Sequence, residues 1–534
     1  MDDTNEVKYI AAVDIGTSTI RCHIYDKKIN VVGEATLQIE LAHPHRGWVE
    51  VSPDHLWLAF VKVIKNSILN GKLKPYQIAC LGISSQRGTF ITWEKDTGRP
   101  FHNFISWKDL RASSICKEWN NSLRMKCLRW GSHILHLLSG KKRFLAAKVL
   151  KLSTAMVVMR LYWILQNIPD VKKKAIDGQA LFGTIDTWLI WKLTGGRVHA
   201  TPDSKDTADI KQGLYSLENK GITFLAEKMH WAGWAINMFG IPPSMLPIIK
   251  PTSGEFGKTE KSIFGVSIPI TATVGDQQAS MFGECCFDVG EIKCTMGTGS
   301  FININTGSNP HASYKGLYPV VGWTIGDETT YLAEGGTHDT GTVICWAQKL
   351  GLFDDPSESS EIATSIPDSG GVYFIPAFSG LQAPFNDNLA ASAFIGLNAK
   401  TTKCHMVRAI LEAIAFRIKQ LYDIMEEEAD FTLKNISVNG GVANNDFVIQ
   451  LIADLTGRPI ERSKHRDMSC LGVAFLAGLG CGIWKDKEEL MKLRKKNQMF
   501  IPRNNWENYL RETFGCWERA ARRCLRWYSD KNTV

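Results

Sequence analysis

None of the thirteen cysteines is spaced C-x-x-C, and His133 with His136 is the only histidine pair at helical spacing. That pattern indicates neither a zinc site nor a disulfide framework, and it suits a reducing compartment. The start, MDDTNEVK, lacks the basic and then apolar run of a secretory signal, so the expected location is cytoplasmic. Long apolar runs are also missing. Met468 to Trp484 carries no charge, but it is short for a bilayer and contains Gly472, Gly478, Gly480 and Gly482, which predicts a buried helix and turn and no membrane span. Nor is charge lopsided. The net +8 is spread over 534 residues, with local basic stretches at Lys141-Lys142-Arg143 and from Arg519 to Arg526. Such stretches read as solvated faces, not as a nucleic-acid footprint.

A hydrophobic content of 44% with 22% charged residues is that of a globular protein. The length exceeds what one core usually serves, so two or more domains are expected. The densest breaker cluster near mid-chain is Ile241-Pro242-Pro243, Pro247 and Pro251-Thr252-Ser253-Gly254, which divides the chain into 1–252 and 253–534.

The segment VDIGTSTIRCHIYD, residues 13–26, begins and ends as a strand. Its hairpin tip holds Gly16, Thr17, Ser18 and Thr19 in place of the Asn-Gly or Asp-Gly of a plain turn. Such a tip offers backbone and hydroxyl donors where Gly16 lets a ligand approach, with Asp14 beside them. Donors so grouped suit phosphate, and the carboxylate suits its metal. The motif returns in the second half, where Glu291–Met296 and Phe301–Asn305 flank Gly297-Thr298-Gly299-Ser300. Two such tips facing one cleft would hold the terminal phosphates of one nucleotide.

A buried-strand run, Ile268–Val274, ends at Gly275 and Asp276. A carboxylate at a strand's end, where α/β proteins place function, can accept the proton of a substrate hydroxyl during phosphoryl transfer; it can equally cap the following helix. Asn435–Val438 reads as a strand leading through Asn439-Gly440-Gly441 into a helix, a glycine pair that lets a ligand lie against backbone. Val407, Ile410, Leu411, Ile414, Ile418 and Leu421 keep the spacing of a core helix.

In order along the chain, VDIGTSTIRCHIYD, SSQRGTFITW with ISWKDLRA, IDTWLIWKLTGG, GDQQASMFGECC with MGTGSFININTG, FSGLQAPFND and VNGGVANND resemble the glycerol kinases of the FGGY carbohydrate kinase family. Residues 392–412 resemble a further family signature, and GECCF together with Gly88 resembles one branch of these kinases. The resemblance implies an α/β fold of two actin-like (RNase H-type) domains with an ATP cleft between them. It also implies ATP and magnesium as cofactors and a polyol, glycerol, as the acceptor. By position, Thr17, Ser18 and Arg21 would meet the nucleotide's phosphates, Asp14 would organise magnesium, and Thr298, Gly341, Gly441 and Asn445 would line the ADP site. Arg87, Asp276 and Gln277 would hold the substrate hydroxyls, with Trp107 and Phe301 against its carbons and Asp276 as general base.

The departures fall mainly on the substrate side. A glutamate expected after Arg87 is Gly88, a pocket tyrosine is missing near Ala155, and Met159–Trp163 matches only partly. Cys345 replaces an ADP-contacting glutamine, and Asn386 a tryptophan. A glycerol kinase with an altered pocket, a kinase for another polyol or sugar-like alcohol, and a catalytically weak nucleotide-binding regulator all remain open, as does the oligomeric state, a homo-oligomer included.

Overall fold

The computed structural model describes residues 8–139, 152–204, 231, 233–311, 313–463, 465, 467–495, 498–504 and 507–528. Lys141-Lys142-Arg143 and most of the MDDTNEVK start lie outside the described residues.

Two sheets of like topology organise the chain. The first contains β1 (Tyr9–Ile15), β2 (Thr19–Tyr25), β3 (Val31–Gln38), β4 (Ile78–Ser85) and β5 (Ile270–Gly275), in the order β5-β4-β1-β2-β3. The second contains β6 (Ile292–Met296), β7 (Ser300–Gly307), β8 (Tyr318–Ile325), β9 (Glu328–Thr337), β10 (Ile436–Asn439), β11 (Ile460–Arg462) and β12 (Gln498–Phe500), in the order β8-β9-β7-β6-β10-β11-β12. In each, an antiparallel hairpin (β1-β2 or β6-β7) is extended by antiparallel pairing on one side and by parallel strands on the other, and in the second sheet β12 ends the parallel side antiparallel to β11. The repeated strand, tip and strand of the sequence is thus the hairpin at the centre of each sheet.

The central strands read as near-continuous apolar runs because helices cover both faces of the sheet. On the first sheet these are α1 (Pro53–Asn70) and, from the far end of the chain, the helix Met468–Gly480. Ser52 caps α1 by accepting from His55 N–H at 3.4 Å, and Pro53 occupies its first turn. Ile10, Val13 and Ile15 are each at most 1% exposed, and each contributes roughly 1.5–3 kcal/mol by burial.

Four further helices bear on the site and its core. Helix α2 (Asp276–Gly283) follows β5 directly, α3 (Gly341–Lys349) follows β9, α4 (Lys403–Glu428) is the buried core helix that its spacing predicts, and α5 (Asp446–Thr456) follows β10. The uncharged run at the end of the chain is α6 (Met468–Gly480), a buried helix as expected. Its glycines permit a close crossing with α2, since a Cβ on Gly472 would sit 1.7 Å from Ala279 O. Among the described residues no helix is long and apolar enough to cross a membrane.

The passage between sheets does not coincide with the proline-rich stretch. Ile270–Gly275 lies beyond 252 yet pairs in parallel with β4 of the first sheet, so the chain changes sheet between Gly275 and Ile292. Proline and glycine mark where the backbone turns, and here they mark loops within the first domain.

Candidate active site

Two turns in corresponding places of the two sheets face one cleft. Gly16 N–H donates to Thr19 O at 2.9 Å between β1 and β2, and Gly297 N–H donates to Gly299 O at 2.9 Å between β6 and β7. Thr17, Ser18, Gly297 and Thr298 line a cleft of ≈ 4080 Å³ together with Arg87, Trp107, Asp276, Gln277 and Phe301.

The Thr17 hydroxyl is a joint in the first wall. It donates to Gln86 Oε1 at 3.0 Å and accepts from Trp107 Nε1 at 3.1 Å. Trp107 is braced from behind, its N–H donating to Thr89 Oγ1 at 3.2 Å. Arg160, fully buried, donates to Ser106 O at 2.6 Å and to Ala155 O at 2.9 Å. The departure at Met159–Trp163 therefore places an arginine under the Trp107 loop, where it satisfies backbone carbonyls that burial would otherwise leave without donors.

Asp276 is the first residue of α2, and Gly275, not Asp276, is its N-cap. Asp276 Oδ1 accepts from Gln277 N–H at 2.8 Å, a carboxylate at a helix N-terminus where the dipole favours negative charge. A side chain on Gly275 would meet Gln278 Oε1 at 2.5 Å and Arg87 Cδ at 3.1 Å, so glycine is what leaves room for Gln278 and Arg87 at the start of α2.

Asp14 lies beneath the first tip, 8% exposed, and accepts from Ser84 Oγ at 2.8 Å. Burial, and then the facing charge of Asp276, push its pKa up to about 7. A carboxylate held this way suits a cation. Among the described residues no three His, Cys, Asp or Glu side chains gather around one ion, so a magnesium here would complete its shell with phosphate oxygens and water, as that ion ordinarily does. The residues present fit it.

Other expected ligand residues sit differently. Arg21 is opposite Asp14 in register, but its guanidinium pairs with Asp467 at 3.3 Å, just before α6. Arg21, Gly341, Gly441 and Asn445 are not among the residues lining the cleft. Asn445 caps α5, accepting from Val448 N–H at 3.1 Å and donating to Ser359 Oγ at 3.0 Å. Gly341 lets α3 begin against the second tip, since a Cβ there would meet Gly297 O at 2.6 Å. Of the Gly440-Gly441 pair, Gly440 (φ +96°) packs where a Cβ would press on Met296 O at 2.5 Å, whereas nothing lies within 4 Å of a Cβ on Gly441. One glycine serves packing on β6 and the other leaves room.

Gly88 is buried with φ +77°, a conformation that strains any side-chain-bearing residue. Sequence reasoning missed a polar row that register creates behind the cleft. Lys293, Asn303, Glu334 and Tyr318 are direct partners across β6, β7, β9 and β8. A charged residue inside an otherwise apolar strand was the available signal.

The N-terminal domain of the FGGY family of carbohydrate kinases matches residues 9–283 and the family's C-terminal domain matches residues 292–481, the interval between them coinciding with the change of sheet. Glycerol kinase 5 of Danio rerio is 49% identical over 527 residues, 98% of this chain and 97% of that protein. Glycerol kinase 5 of Homo sapiens is 47% identical over 521 residues, 98% of this chain and 96% of that one. These belong to the branch that GECCF and Gly88 resemble. The crystal structure of Plasmodium falciparum glycerol kinase with ADP superposes with a TM-score of 0.84 at 29% identity, covering 97% of this chain and 98% of that one.

Proposed function

The chain belongs to the FGGY family of carbohydrate kinases, and on that premise we propose that it transfers the terminal phosphoryl group of ATP to a terminal hydroxyl of glycerol, giving glycerol 3-phosphate and ADP. The observation that carries this reading is the meeting, in one cleft, of two phosphate-type hairpin tips from separate sheets with the Asp276 carboxylate.

Phosphoryl transfer asks a protein chiefly for position and electrostatics. The backbone donors of Thr17, Ser18 and Thr298 would take phosphate oxygens from two sides. Arg87 and Gln277 would orient the alcohol, with Trp107 and Phe301 against its carbons. Asp276 would accept the proton of the attacking hydroxyl. When bound, magnesium supplies charge neutralisation on the phosphates, and Asp14 is the residue that would hold it. Arg21 would act on phosphate only by leaving Asp467, and Gly341, Gly441 and Asn445 would border the ADP as the cleft closes. A cytoplasmic setting belongs to the same proposal, as does a small polyol as the partner, and a homo-oligomer is compatible with it.

The missing side chain at Gly88, which lines the cleft, favours one variation, a longer polyol in the same pocket. The test is ADP release by the purified chain across a panel of polyols and sugars. The reading expects ATP consumption that depends on glycerol; release confined to a longer alcohol would reassign the acceptor, and acceptor-independent release would remove the kinase reading.

A further inference from the structure

The polar row behind the cleft ends on the two side chains proposed to hold the alcohol. Glu334 is 0% exposed and accepts from Tyr318 OH at 2.6 Å and from Asn303 Nδ2 at 2.6 Å. Its third donor is Arg87 Nη2. Asn303 accepts in turn from Lys293 Nζ at 3.0 Å, and the same ammonium donates to Gln277 Oε1 at 2.8 Å. Asn303 and Lys293 are also 0% exposed. The chain Arg87–Glu334–Asn303–Lys293–Gln277 is therefore unbroken, and its three central members come from the second sheet while Arg87 follows β4 of the first.

Burying charges with no pairing would be strongly unfavourable. Here the charges are paired and the polar atoms shared. Burial alone would raise the pKa of Glu334, but the Arg87 charge and the hydrogen bonds from Arg87, Tyr318 and Asn303 hold it below its usual value. Burial lowers that of Lys293 to about 8 against the opposing pull of Glu334 and Asp276. A network of this kind fixes rotamers more firmly than isolated contacts do.

We propose that Glu334 is the positioning residue for Arg87, reaching it from across the cleft, and that Lys293 does the same for Gln277, so that one buried row of the second sheet sets both polar arms of the alcohol pocket. The inference rests on the reading of Arg87 and Gln277 as alcohol-binding residues. It also gives Gly88 a context. The family resemblance puts a carboxylate beside the arginine on its own segment; in this chain a carboxylate that pairs with Arg87 arrives from the opposite domain, and the pocket is complete only where the two domains meet.

The experiment is a cycle of Arg87→Ala, Glu334→Gln and the double variant, with KM for glycerol and for ATP measured separately. Wild-type turnover on glycerol tests the underlying reading by itself. If Glu334 acts through Arg87, Glu334→Gln raises the glycerol KM by about 10-fold or more, the scale of a lost charge-assisted hydrogen bond, while the ATP KM stays within about threefold. Once Arg87 is alanine, the second substitution adds nothing. Independent, multiplying effects in the double variant, or equal changes in both KM values, would overturn the proposal. Should Glu334→Gln fail to fold, Tyr318→Phe and Lys293→Arg keep the question open to measurement. The first loosens Glu334 without removing a charge and should raise the glycerol KM a few-fold; the second keeps the charge and should preserve the KM far better than Lys293→Met. Unchanged glycerol KM in Tyr318→Phe together with equal behaviour of the two Lys293 variants would overturn it as well.

Discussion

Replacing Asp14 with asparagine should make the ligand-free protein more stable and the enzyme inactive. Asp14 is 8% exposed, and burial together with the Asp276 charge raises its pKa from 3.8 to about 7. At 1.36 kcal/mol per tenfold change in acidity, that difference is about 4 kcal/mol of charge burial carried by the folded state above pH 7. Relaxation around the site lowers the effective figure, and about 2 kcal/mol or more is a fair expectation. Because the folded pKa lies above the unfolded one, the stability linked to Asp14 is fully present below about 3.8 and is lost as pH rises through about 7. The advantage of Asp14→Asn should therefore be small at pH 5 and grow to roughly 2 °C or more in thermal midpoint at pH 8. Asparagine keeps the shape and an acceptor for Ser84. The assay is thermal unfolding of both proteins at pH 5, 6.5 and 8, with and without magnesium and a non-hydrolysable ATP analogue, which should stabilise the wild type more than the variant. A variant that is less stable at every pH, or one that retains wild-type turnover, would refute the reasoning that this carboxylate is held in reserve for a cation.

Gly88→Glu sets a gain against a strain. Hydrogen bonds from glycerol to the new carboxylate are worth roughly 1.5–3 kcal/mol, but the position has φ +77°, where a side chain costs roughly 1–2 kcal/mol. Steady-state kinetics should show at most about a tenfold rise in kcat/KM for glycerol, accompanied by a lower melting point; a large gain with no loss of stability would mean the backbone relaxes freely. Gly297→Val tests the second tip, because a Cβ there meets nothing closer than Gly299 O at 3.8 Å. Calorimetry should find the fold intact and ADP affinity reduced about tenfold or more, as one blocked phosphate contact would do; unchanged affinity would remove that tip from the phosphate site.

What could be read from the chain itself was whatever is local. The hairpin tips, the strand that ends at Asp276, the core helix Lys403–Glu428 and the buried run Met468–Gly480 each announce themselves within one continuous stretch of sequence. The family motifs then gathered Thr17, Arg87, Trp107, Asp276, Gln277 and Phe301, which line one cleft. What was not legible depends on register and on distant pairing. Lys293, Asn303, Glu334 and Tyr318 are ordinary polar residues in four separate strands until the sheet sets them in one row. The pairing of Arg21 with Asp467, far along the chain, is likewise set only by the fold. Ile270–Gly275 follows the proline cluster yet joins the first sheet, a choice made by its pairing with Ile78–Ser85 and not by any turn signal.

Asp276 and the cleft around it are proposed to move phosphate from ATP to glycerol. The most direct measurement is a single-turnover reaction of enzyme with ATP, magnesium and glycerol, quenched in time and analysed by mass spectrometry for ADP and glycerol 3-phosphate, run in parallel with Asp276→Asn. The wild-type chain should give equal amounts of the two products, and Asp276→Asn, still folded, a rate lower by about 10² to 10⁴, the usual contribution of a positioned general base. ADP without glycerol 3-phosphate, or a variant slowed less than about tenfold, would contradict it.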